Sequence, residues 1–106
     1  MQLLQCKLIT GEWIIGQVKE QLQETNSVIL EKPLVVHVVP RGPSDYGIAL
    51  IPFNPVSADT TVEVFKSAII AKPDKIEKGL HDAYIRNATN LEIVQDLADL
   101  SGGDDK

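Results

Sequence analysis

Two long β-type runs of this chain are each interrupted in their interior by a residue that a regular strand does not accommodate. Gly16 interrupts the run from Glu12 to Gln21, and Pro33 interrupts the run from Ser27 to Val39. An interior Gly or Pro marks a bulge, a sharp bend or an unpaired edge. Such bends let a small sheet curl toward a barrel, whereas a flat sheet does not need them. The sequence therefore predicts a small, strongly bent antiparallel sheet.

The other turn signals predict five strands followed by one helix. Runs rich in Val, Ile, Leu and Thr end at Gly, Pro, Asn or Asp, and they predict strands at 2–9, 12–21, 27–39, 46–53 and 62–71. Pro73, with Asp74 and Glu77 in the spacing of a capping box, predicts a helix over about 73–88. We expect residues 1–90 to form one domain. Residues 91–106 are expected to be a C-terminal extension with a disordered acidic end.

Charge and cysteine content exclude several classes of protein. Ten Lys and Arg against fifteen Asp and Glu give a net charge of -5, which disfavours generic attraction to phosphate backbones. The one cysteine, Cys6, cannot form an internal disulfide or a multi-thiolate zinc site, and this favours a reducing, cytoplasmic location. No window approaches the ~18 apolar residues that a membrane span needs, so we expect no membrane partner.

A search for catalytic or metal-binding constellations finds no convergent group. Cys6 has no basic neighbour in sequence, so a buried structural thiol is expected. His37 lies in LVVHVV, a run typical of burial on both faces or of an edge covered by another subunit, where a core or interface histidine is the simpler interpretation. An enzyme using Glu20, paired with Glu24, or His37 is the weakest alternative. We expect no catalytic residue, no metal and no cofactor.

The segment KLITGEWIIGQVKEQLQETNSVIL resembles the first motif of the Sm-like family. The matching positions are Leu8, Gly11, Gly16, Val18 and Asn26. The layout, with a helix after the fifth strand, is most similar to Sm-like proteins encoded by tailed cyanophages. The resemblance covers Leu3 to Ala71 and implies a mainly β fold, namely a small five-stranded, strongly bent antiparallel open barrel with a C-terminal helix. A phage protein of this kind would act in the cytoplasm of the bacterial host.

Sm-like proteins close into rings by pairing the fourth strand of one subunit with the fifth strand of its neighbour. The resemblance thus implies a cyclic homo-oligomer of about five to seven copies, in which each edge is completed by the next copy. The interface residues that it implies are Tyr46, Ile48, Leu50, Val62, Val64, Ala68 and Ile70.

Many Sm-like rings bind uridine- or adenine-rich RNA at loop residues near the pore. The nucleic-acid-binding residues implied here are Lys19, Gln21, Glu24, Asn26 and Phe53. Asn26 matches the family pattern, but Leu22 stands in place of an Asp and Glu24 in place of the residue that stacks on the base. Pro52 and Phe53 stand where an Arg-Gly pair is expected. An anionic side chain offers no π-face and repels phosphate.

Two functional hypotheses follow. The first is a non-catalytic ring that binds single-stranded RNA, for example as an RNA chaperone, and kinship favours it. The second is a structural or adaptor ring that holds a protein partner without RNA, and the acidity and the apolar LVVHVV run favour it. Four lysines would form a basic rim if the fold brings them together: Lys7, Lys19, Lys66 and Lys72.

Overall fold

The computed structural model describes residues 2–54 and 60–88. Their strands are β1 Leu3–Leu8, β2 Trp13–Leu22, β3 Ser27–Gly42, β4 Asp45–Pro52, β5 Thr61–Phe65 and β6 Ile69–Ala71, with a 3-10 turn at Lys66–Ala68. The helix α1 covers residues 78–88. The expected mainly β fold with a C-terminal helix is confirmed. The extension expected at 91–106 lies outside the described residues.

All strand pairs are antiparallel, and the sheet is open. Its path runs β4–β3–β2–β1–β6, and β5 pairs with β3. The single last strand predicted at 62–71 is wrong, because the 3-10 turn divides it into two short strands with different neighbours. β5 pairs with β3, whereas β6 pairs with β1.

The longest strand, β3, changes neighbours in its middle. Residues Ser27 to Glu31 pair with β5, and residues from Leu34 onward pair with β4 along the same edge. Between the two sets, Lys32 has a φ of 50°. The opposite edge pairs with β2, whose register shifts between Ile15 and Gln17. We call the Lys32–Pro33 step the β3 kink.

Gly16 gives β2 the space to follow the β3 kink. A Cβ at this position would lie 3.2 Å from the Leu30 Cβ and 3.3 Å from the Pro33 Cα. Both distances are shorter than ordinary van der Waals contact, so a side chain would have to displace the β3 backbone. The bend predicted from Gly16 and Pro33 is therefore present, and glycine is needed for close approach of the two strands.

The β3 kink also changes which face of β3 carries core residues. Val28 and Leu30 precede it and point into the same cluster as Val35, which follows it, although strict alternation would turn Val35 to the other face. This inner cluster consists of the buried residues Cys6, Leu8, Ile14, Val28, Leu30, Val35 and Val64.

A second cluster lies between the other face of the sheet and α1. Its buried members are Ile15 and Leu34 from the sheet and Leu80 and Tyr84 from the helix. Leu80 and Tyr84 are four residues apart, so they lie on the same side of α1, which faces the sheet. We call this group the helix-side cluster.

The helix begins later than the capping-box pattern predicts. A side-chain oxygen of Glu77 accepts a hydrogen bond from the Leu80 N–H at 3.1 Å, and the His81 N–H donates to the Glu77 carbonyl at 2.9 Å. Glu77 therefore caps the first turn, the role that the pattern assigns to Asp74, and regular helix starts at residue 78.

Tyr84 fastens α1 to the β3 kink. Its hydroxyl lies 3.0 Å from the Glu31 carbonyl oxygen and 3.1 Å from that of Lys32, and it donates its one proton between them. The side chain is 1% exposed. Burial raises the pKa of Tyr84 to about 12. The hydrogen bond with the Gln17 backbone lowers the same pKa, but its effect is smaller.

Burial of the LVVHVV run on both faces is a prediction that the structure corrects. Leu34 and Val35 are buried, but His37, Val38 and Val39 are exposed. Beyond the kink, β3 and β4 continue as a hairpin past the part of the sheet that α1 and the inner cluster cover. The segment predicted as a loop from residue 40 belongs to this hairpin, since β3 extends to Gly42.

Replacing Gly16 with alanine should lower the free energy of unfolding by about 1–3 kcal/mol, because the new methyl group overpacks the contact with Leu30 and Pro33. Gly42→Ala is the matched control, since the nearest heavy atom there is 4.0 Å away. The control should change stability by less than ~0.5 kcal/mol. Urea unfolding measures both variants, and equal effects would contradict the close-approach argument.

Tyr84→Phe should cost about 1–3 kcal/mol at neutral pH, because two buried carbonyls lose their donor. The folded-state pKa is raised from 10.0 to about 12, so this stabilisation is complete below pH 10 and is lost as the pH rises toward 12. Unfolding curves on either side of pH 10 should show the wild-type advantage over Tyr84→Phe shrinking at the alkaline end. An advantage that stays constant would mean that the hydroxyl does not titrate as described.

Candidate nucleic-acid interface

The turn between β2 and β3 is held against the 3-10 turn that follows β5. Asn26 adopts a φ of 52°, and its N–H donates to the Gln23 carbonyl at 3.2 Å. The Asn26 carbonyl accepts from the Lys66 N–H at 2.9 Å. Asn tolerates this left-handed conformation better than most residues do, which explains its place in the turn. Asn26 thus fixes the position of Lys66.

A chain of side-chain hydrogen bonds supports the start of β3. Ser27 is fully buried, and its Oγ donates to a Glu63 carboxylate oxygen at 2.6 Å. The Thr25 hydroxyl lies 2.6 Å from the same Ser27 oxygen. These contacts join the β2–β3 turn to β5 and satisfy the buried hydroxyl.

Beside these two turns the sheet forms a cleft of about 350 Å³. Its apolar wall comes from residues that extend the inner cluster outward: Leu4, Val18, Val28 and Ile69. Its polar rim consists of Gln2, Gln21, Lys66 and Lys72. An apolar wall with a few convergent polar groups is the usual composition of a ligand site.

The cleft is positively charged although the chain as a whole is acidic. Among residues 2–54 and 60–88, Lys66 and Lys72 are the charged residues that line it, and no carboxylate of these ranges does. The Lys66 ammonium donates to the Gln21 side-chain oxygen at 3.2 Å. Within the described residues neither lysine forms a salt bridge, so both charges are available to an anion.

The nucleic-acid-binding residues expected from the sequence do not form one site. Gln21 lines the cleft and Asn26 lies beside it, while Glu24 is exposed in the turn. Lys19 lies 3.5 Å from Glu31, outside the cleft. Phe53 packs against the inner cluster beyond the β3 kink, where its N–H donates to the Pro33 carbonyl at 3.0 Å.

The cleft lysines are the part of the site that the sequence left undecided. Lys66 and Lys72 appear in the sequence only as members of a conditional basic rim, because a strand pattern does not show which side chains border one cleft. The two lysines flank β6, and the structure brings Gln2 and Gln21 to the same cleft. The feature that positions these lysines is the 3-10 turn after β5, and a strand pattern alone does not reveal that turn.

The residues expected at an oligomer interface have different environments. Tyr46, Ile48 and Ile70 are exposed, and Val64 is a buried member of the inner cluster. The others are half-buried: Leu50, Val62 and Ala68.

The groups considered for catalysis lie apart. Cys6 is fully buried, and burial raises the pKa of its thiol. His37 is exposed on the β3–β4 hairpin. Residues 2–54 and 60–88 contain no group of three or more His, Cys, Asp or Glu side chains that could hold a metal ion. In the same residues, no helix is long and apolar enough to cross a membrane.

Comparison with known proteins identifies no relative of this chain. Neither the protein-family models nor the characterised proteins contain a match to this sequence.

Proposed function

We propose that this chain is the subunit of an Sm-like ring that binds single-stranded RNA without catalysing a reaction. The observation that carries the proposal is the cleft in which Lys66 and Lys72 flank an apolar wall next to the Asn26 turn. Single-stranded nucleic acid suits such a surface, since it offers both phosphate charge and unpaired bases with apolar faces.

The strand pairing supports a bent open barrel. β2 and β3 bend together at Gly16 and the β3 kink, as a curling sheet requires. The segment from β5 to β6 reaches from β3 to β1, two strands that are separated by β2. A chain that bridges strands in this way draws the two sides of the sheet toward each other around the inner cluster.

The edges of the last two strands support ring assembly. Within the described residues, β5 and β6 each pair along one edge only. Phe65 and Ile70, on these strands, are 50% and 59% exposed. Within the described residues β4 also pairs along one edge only. Head-to-tail pairing of β4 of one copy with the β5–β6 segment of the next would satisfy these free edges, and about five to seven copies would close the ring.

The Asn26 contact supports RNA as the ligand. The resemblance implies an Arg-Gly pair in the second motif that helps to hold the base, and Pro52 and Phe53 stand in its place. The Lys66 backbone N–H donates to the Asn26 carbonyl, which places a cationic residue directly beside this asparagine. With a net charge of -5 over the whole chain, binding should be local to the cleft and sensitive to salt.

An adaptor ring that holds a protein partner is the second candidate, and one observation favours it. The hairpin beyond the β3 kink exposes Val38 and Tyr46, which are 63% and 65% exposed. Exposed apolar surface of this kind is typical of protein contacts. Saturable binding of RNA by the purified ring distinguishes the first function from this one.

Lys66→Gln should weaken binding of homopolymer RNA roughly tenfold at about 50 mM salt and lower the slope of log affinity against log salt by about one. Lys75→Gln is the control, because it removes the same charge outside the cleft. Fluorescence anisotropy over a salt series measures both. Equal losses in the two variants, or no saturable binding by the wild type at low salt, would contradict RNA binding at the cleft.

Ile70→Lys should prevent ring assembly, because a charged side chain would be buried where β6 meets β4 of the next copy. Val39→Lys places the same charge on an exposed residue of the hairpin and should leave the ring intact. Light scattering after size exclusion gives the masses. A ring that persists with Ile70→Lys would refute assembly through these edges.

A further inference from the structure

One backbone hydrogen bond at the end of β4 identifies the residues that face the outer edge of this strand. In an antiparallel pair, hydrogen-bonded and non-hydrogen-bonded positions alternate, and residues at the second kind direct their N–H and C=O groups away from the partner strand. The Phe53 N–H donates to the Pro33 carbonyl at 3.0 Å, so this pair is hydrogen-bonded. Counted back along the ladder from there, the outward-facing residues of β4 are Tyr46, Ile48, Leu50 and Pro52.

The same alternation applies to β5. The Lys32 N–H donates to the Thr60 carbonyl at 2.6 Å, and the Lys66 N–H donates to the Asn26 carbonyl at 2.9 Å, so both flanking pairs are hydrogen-bonded. Between them, the β5 residues that face away from β3 are Thr61, Glu63 and Phe65. Among the described residues, no strand pairs with this edge of β5 or with the outer edge of β4.

Arg41 closes one end of the β4 edge. Its Nη2 donates to the Tyr46 carbonyl at 3.3 Å and so occupies one outward-facing acceptor. Its Nε lies 3.9 Å from an Asp45 carboxylate oxygen. The guanidinium crosses the face of β4 at Gly47, where a Cβ would lie 2.9 Å from the Arg41 Cζ. Glycine at position 47 therefore provides the space in which Arg41 reaches the edge.

Pro52 closes the other end of the β4 edge, because it has no N–H and offers only a carbonyl. Between these two limits, Ile48 and Leu50 each present both an N–H and a C=O to the outside. A strand that adds to β4 is thus confined to a short window.

We propose that Arg41 sets the register in which β4 pairs with β5 of the neighbouring copy, with Ile48 opposite Phe65 and Leu50 opposite Glu63. This proposal rests on the ring that closes through these edges. In this register Tyr46 lies opposite the 3-10 turn that follows β5 of the neighbour, and β6 follows beside the start of β4. A turn does not continue the strand ladder, and Arg41 supplies the donor for the Tyr46 carbonyl there.

The competing register is shifted by two residues, and Arg41 disfavours it. It places Phe65 opposite Tyr46, so that the Phe65 N–H needs the carbonyl that Arg41 occupies. A shift by one residue brings outward-facing positions opposite inward-facing ones and forms no ladder. The side chains agree with the proposed register. Ile48 and Phe65 are 47% and 50% exposed, and as an opposed pair on one face they would cover each other.

Pairs of cysteines report the register, because opposite residues in such a ladder have Cα atoms about 5.5 Å apart, within disulfide range. A shift of two residues moves them to the limit of that range. Under oxidation, Ile48→Cys combined with Phe65→Cys should link subunits into multiples of one chain on a denaturing gel. Tyr46→Cys combined with Phe65→Cys should stay largely unlinked. Cys6 is fully buried and does not compete.

Arg41→Ala should raise the linked fraction of the Tyr46→Cys and Phe65→Cys protein roughly tenfold, because the Tyr46 carbonyl becomes available to the backbone N–H of residue 65. Arg86→Ala is the matched control, since it removes the same charge from an exposed position on α1 and should leave the linked fraction unchanged. Efficient linking of positions 46 and 65 while Arg41 is present, or equal effects of the two alanine variants, would overturn the proposal.

Light scattering on the same proteins separates this proposal from the ring itself. A ring-sized mass with linking only at positions 46 and 65 would keep the assembly and overturn the role of Arg41. The mass of a single chain, with no link in either cysteine pair, would refute the ring and this proposal with it.

Discussion

The close approach of β2 and β3 at Gly16 is the constraint on which the rest of this fold depends. It lets β3 turn at the Lys32–Pro33 step and exchange β5 for β4 as a neighbour on the same edge. At this step the Tyr84 hydroxyl donates its proton between the carbonyl oxygens of Glu31 and Lys32. This one step determines where α1 is held, which residues of β3 face the inner cluster, and which strands pair with β3.

The same step separates the molecule into a part that is packed on both faces and a part that is not. Before the kink, β3 lies over the inner cluster and leads back to the Asn26 turn, where the cleft and its lysines lie. After the kink, β3 and β4 form the exposed hairpin. A surface suited to an anionic ligand and a surface suited to another strand therefore occur at different ends of one continuous strand.

Sequence patterns predicted the local features of this fold and missed those that depend on distant pairing. Gly16 and Pro33 indicated the bend because backbone freedom and a missing donor are local properties. The change at Lys32 in which alternate residues of β3 face the inner cluster was not predictable. Lys32 has a positive φ, and a residue that is neither Gly nor Asn does not indicate such a conformation in the sequence. Lys66 and Gln21 come together through strand pairing, so the cleft was only a conditional expectation. The helix start shifted because Glu77 supplied the cap itself.

The hairpin beyond the kink also bears on how the chain can tolerate change in length. Its outer residues contribute no member to either buried cluster, and its two strands pair with each other in an antiparallel ladder whose register shifts between Pro40 and Gly42. Adding or deleting the same number of residues on β3 and β4 would lengthen or shorten the hairpin. The inner cluster and the Tyr84 contact would keep their geometry. Insertions and deletions should therefore accumulate at this tip and be rare at the Lys32–Pro33 step.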